Sequence, residues 1–141
     1  MSETTELTAT EVATRLLPLM KEYAAKLAGV AERTSSLSEQ LVTGRGIRSA
    51  LVPEAARLIC LHNALDKPVT DIAREGSGLF EHAALEYYLR NELKLRLDEL
   101  EEHVRFSGLL VSELVKQLKE YGLADPARKF IEQSGRYKAP F

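Results

Sequence analysis

Few residues in this chain have the types and spacing that chemistry requires, and the polar candidates are basic rather than catalytic. Gly44-Arg45-Gly46-Ile47-Arg48 sets two arginines beside glycines, with no acid between positions 40 and 53. Glycines permit close backbone approach, and a helix starting just beyond would turn free N–H groups outward, which suits a phosphate. Arg45 and Arg48 would add paired donors. A second basic group, Arg128 and Lys129 with Arg136 and Lys138, is interleaved with Phe130 and Tyr137 and could track a polyanion backbone. The competing reading of both is solvated loop and tail. The three histidines point away from a metal. Cys60 and His62 are two apart and so diverge on a helix. Glu99 and His103 share a face, but two ligands do not make a tetrahedral zinc site. The Glu-x-x-His pattern of di-iron bundles is absent, since Leu79, Leu100 and Ile59 stand where the glutamates would be. No catalytic residue, metal or cofactor is predicted.

The elements that must hold these residues are helices. From Val12 the apolar positions run Leu16, Leu19, Tyr23, Leu27, Val30, Leu37 and Leu41 at helical spacing, announced by a Thr8/Glu11 capping box. Pro18 predicts a kink in this first helix, and Thr34-Ser35-Ser36 compete for its backbone. Gly44 to Gly46 end it. A second helix is expected from about 48 to 65, then a turn at Asp66-Lys67-Pro68 and a short piece from 69 to 75 ending at Gly76-Ser77-Gly78. Residues 79 to 121 contain no proline and one interior glycine. As one helix they would span about 65 Å, so the segment either breaks at Ser107-Gly108 or belongs to an associating molecule. Gly122 and Pro126 mark a C-cap and the start of a last short helix over 126–133. The fold class is all-α: one domain over 1–141, a helical bundle with long amphipathic helices and a kinked N-terminal helix.

Leu85, Leu89, Leu93, Leu97, Leu100 and Val104 form a stripe too long for one short neighbour to shield, which predicts an oligomer interface. Composition fits a non-enzymatic assembly subunit, with 45% hydrophobic and 28% charged residues and a net charge of −2. The charge is sorted: 66–115 holds eleven acids against six bases, and 116–141 six bases against three acids. The apolar runs are too short for a membrane span. The polar start of the chain is no secretory signal, and the single Cys60 fits synthesis inside a cell. Five Asn and Gln in total suggest a thermophilic composition.

Other arrangements compete with simple assembly. Residues 54–90 can be drawn as a helix-turn-helix with a recognition helix from Phe80, although Glu81 and Glu86 would repel phosphates. Arg57 followed by His62 resembles the Arg-(four to six)-His signature of HEPN ribonucleases, which would imply RNA cleavage at a dimer interface; Leu58 replaces the polar residue usual after the arginine. The run Leu118-Lys119-Glu120-Tyr121-Gly122-Leu123-Ala124-Asp125-Pro126-Ala127-Arg128 resembles a stretch in helical coat proteins of rod-shaped and filamentous archaeal viruses. That resemblance covers eleven residues and implies a virion subunit that dimerises and wraps duplex DNA. Here the run sits near the C-terminus rather than mid-chain, and the N-terminal arm is not strongly basic.

Overall fold

The computed structural model describes residues 8–44, 47–82, 85–133 and 139–141, and its described elements are all helical. Helix α1 spans Ala9–Thr43, a 3-10 turn covers Arg48–Leu51, α2 spans Val52–Phe80, α3 spans Tyr87–Glu120 and α4 spans Ala124–Glu132. Local chemistry sets several ends. The Thr8 hydroxyl accepts from the Glu11 amide at 3.1 Å and closes the first turn of α1. Gly122, at φ +70°, ends α3. The Leu123 amide donates to the Leu118 carbonyl at 2.7 Å and the Gly122 amide to Lys119 at 3.1 Å, the two bonds of a Schellman motif.

Three expected breaks are not breaks. Helix α2 continues through Asp66-Lys67-Pro68 and through Gly76-Ser77-Gly78, and α3 continues through Ser107-Gly108. The separate short helix at 69–75 is therefore part of α2. Pro68 forfeits the bond to the Ala64 carbonyl, but Ala64 is exposed, so solvent can satisfy that oxygen. Around it Leu65, Val69, Ile72 and Leu79 are buried on one face. At roughly 1.5–3 kcal/mol per buried side chain, that face outweighs a proline penalty of about 3 kcal/mol. Gly76 is a contact point: a Cβ there would lie 2.5 Å from Met20 Cε and 3.1 Å from Leu97 Cδ2. The missing side chain leaves the space that Met20 and Leu97 fill. Pro18 lies inside α1, which is assigned as helix throughout.

The long helices run up, down and up. Met20, Gly76 and Leu97 meet toward one end. Toward the other, Ser38 Oγ lies 2.5 Å from Gln117 Oε1, and the Arg48 guanidinium stacks 4.0 Å from the Tyr121 ring. Helices α1 and α3 are thus parallel and α2 antiparallel to both, while α4 packs on α2 and α3. At 1.5 Å per residue, α1 and α3 are each about 50 Å long. That equality corrects the expectation for the leucine stripe. Leu85, Leu89, Leu93 and Leu100 are buried within the chain, Leu97 packs half-buried against the same core, and only Val104 reaches 37% exposure. The predicted intersubunit seam is the intramolecular one, because α1 and α2 are long enough to cover it.

Candidate interaction face

The expected polyanion loop is put to structural use. Arg48 Nε donates to the Leu41 carbonyl at 2.6 Å and Nη2 reaches Val42 O at 3.5 Å. These are C-terminal carbonyls of α1, which carries no basic residue in its last turn. Stacked on Tyr121, Arg48 ties the end of α1 to the end of α3. Arg90 does the same at the other reversal, donating to the carbonyls of Phe80 (3.0 Å), His82 (2.9 Å) and Leu85 (3.4 Å). Arg128 pairs with Asp125 at 3.0 Å, and Lys129 is exposed. Arg45, Arg136 and Lys138 lie outside the described residues.

The alternative sites do not assemble. Continuous helix through positions 66–78 removes both turns of the helix-turn-helix drawn over 54–90. Arg57 is exposed and pairs with Glu54 at 3.7 Å, while Glu54 also holds Arg33 at 3.0 Å. His62 points elsewhere, its Nδ1 3.1 Å from the Oγ of the fully buried Ser107. The two residues of the HEPN-like pair therefore serve different contacts. Among the described residues no group of three potential ligands converges on a metal position. Glu99 is engaged with Arg96, which also binds Glu92. Cys60 is a free, half-buried thiol whose pKa is pushed up by burial.

His62 gives the fold a pH dependence. Burial lowers its pKa below 6.5, opposed by the charge of Asp66. The unfolded chain therefore binds more protons in that range, and stability falls as pH drops from 6.5 through the folded-state value. The urea midpoint of the wild type should decrease across that window, with a shallower decrease in His62→Gln. Parallel pH profiles for the two proteins would mean that His62 is not the linked group.

What remains open is the face between α1 and α3. Ala28, Ala31, Ser35 and Ser36 of α1 and His103 and Phe106 of α3 line a groove of about 460 Å³. On α3, Phe106, which lines the groove, is 54% exposed and Leu109, three residues on, 60%; Leu95, 49% exposed, lies eleven residues earlier, with Glu99 and Glu102 between. Isolated exposed apolar residues are ordinary; two within one turn at the edge of a groove form a small apolar patch. The rims are acidic: Glu32 and Glu39 line the groove, and Glu113 lies one turn beyond Leu109. Among the described residues none of these three has a cationic partner. Glu102, between Leu95 and Leu109, pairs with Arg105 one turn away. The sequence did carry a signal for this face: Leu95, Phe106 and Leu109 interrupt the polar side of a helix whose core stripe lies elsewhere.

The chain matches no protein-family model, no curated protein and no solved structure. Among the described residues no helix is long and apolar enough to cross a membrane.

Proposed function

We propose that this chain is a non-enzymatic helical subunit that works by association, with the α1/α3 face as its contact surface. The observation that carries this reading is the exposure of Phe106 and Leu109 beside the α1/α3 groove, while the leucine stripe is already consumed in the core. Aromatic and aliphatic anchors next to a depression are the features that concentrate binding energy at interfaces. The coat-like reading finds less support. Arg48 and Arg128 are committed to contacts within the chain, and the unpaired glutamates would repel duplex DNA from the α1/α3 face.

Phe106→Asp/Leu109→Asp tests the reading, since both positions are exposed and their substitution should leave helicity and urea midpoint nearly unchanged. The wild type is expected either to show a concentration-dependent sedimentation coefficient or to bind amphipathic helical peptides. The double variant should lose whichever behaviour the wild type has. If the two proteins match in both assays, the α1/α3 face is not the contact surface.

A further inference from the structure

We infer that the α1/α3 groove receives a basic amphipathic helix from another protein; this rests on the association reading and adds the chemistry of the partner. The groove has the makings of a helix-binding site. Its floor is small on the α1 side, where Ala28, Ala31 and Ser35 leave room for a backbone or a large side chain, and Phe106 forms the opposite wall. Leu109 lies three residues beyond Phe106 on α3, so a partner helix laid alongside would meet both within one turn.

Charge selects the sign of that partner. Glu32 and Glu39 line the groove and Glu113 stands one turn beyond Leu109; among the described residues none of the three is in an ion pair, while Arg105 is held by Glu102 and the exposed Lys116 lies one turn from Glu113. A helix with lysines and arginines flanking its apolar stripe would pair with these carboxylates as it docks. An acidic helix would be repelled. A second copy of this chain is disfavoured for the same reason, because its own α1/α3 face brings the same glutamates to the contact.

The test uses three synthetic peptides of about 18 residues, about five helical turns. One carries Leu and Phe at helical spacing with flanking lysines, the second has glutamates in place of the lysines, and the third is a scramble of the first. Fluorescence anisotropy is recorded against the full chain at low and high salt. The basic amphipathic peptide should bind, and should weaken about tenfold or more with Phe106→Ala/Leu109→Ala, as expected for anchor residues. Glu32→Gln/Glu39→Gln/Glu113→Gln should also weaken it and flatten its salt dependence. The acidic and scrambled peptides should not bind. If acidic and basic peptides bind alike, or if only self-association is seen and it depends on Phe106, the inference falls while the association reading stands. If the scramble binds as well as the ordered peptide, the contact is nonspecific charge attraction and the inference falls. If no peptide binds and no self-association depends on Phe106, both fall.

Discussion

Leu93→Asp should unfold this chain. Leu93 has 0% exposure and lies in the core formed by the three long helices. A carboxylate there must either lose its hydration or carry a proton into an apolar layer, a cost of several kcal/mol when no partner is present. Set against a stability of about 5–15 kcal/mol for a native protein, that removes much or all of the margin. Far-UV circular dichroism at 25 °C is expected to show lost helix, or the urea midpoint to fall toward zero. Leu109→Asp, equally a leucine on α3 but 60% exposed, should change the midpoint little. A folded Leu93→Asp protein with an unchanged midpoint and an altered molecular mass would mean that the stripe meets another subunit rather than α1 and α2.

Arg90→Ala is expected to produce the next largest loss, about 2 kcal/mol, the scale of hydrogen bonds that involve a charged group. Its guanidinium spans the carbonyls of Phe80, His82 and Leu85, where α2 ends and the chain turns into α3. Neither helix end there has a side-chain cap: Glu86 precedes α3 without one, and α2 has no basic residue in its last turn. Lysine offers a single ammonium rather than a planar fork, so Arg90→Lys should recover less than half of the loss. Arg48→Ala should behave similarly, through the Leu41 and Val42 carbonyls and the lost stacking on Tyr121. Urea denaturation measures all three variants. A loss below about 0.5 kcal/mol for Arg90→Ala, the range of neutral surface changes, would show that solvent satisfies those carbonyls equally well. Arg48→Ala also bears on nucleic-acid binding: a weakened interaction in that variant must be compared with its stability before it is assigned to a phosphate contact.

The sequence by itself determined the helical class, the start of α1 at Thr8, the end of α3 at Gly122 and which leucines are apolar-stripe residues. Each depends on interactions within a few positions: a hydroxyl capping an amide three residues on, a glycine able to adopt positive φ, a repeat near 3.6. Tertiary structure decided the rest. Proline and glycine at 66–68, 76–78 and 107–108 signal breaks locally, yet burial along continuous faces outweighs those modest costs. Helix α2 instead ends at Phe80, before a stretch of sequence to Glu86 that holds no glycine or proline, and Arg90 of the next helix binds the carbonyls of Phe80 and His82. Which face of α3 is covered was likewise illegible, because a stripe records that burial occurs and not whether the cover comes from the same chain. Nearly equal lengths of α1 and α3, which both reach α2 at Gly76 through Met20 and Leu97, turned the leucine stripe inward. The same packing turned Arg48 back onto α1 and left Phe106 and Leu109 outside, since the three helices offer only one shared interior.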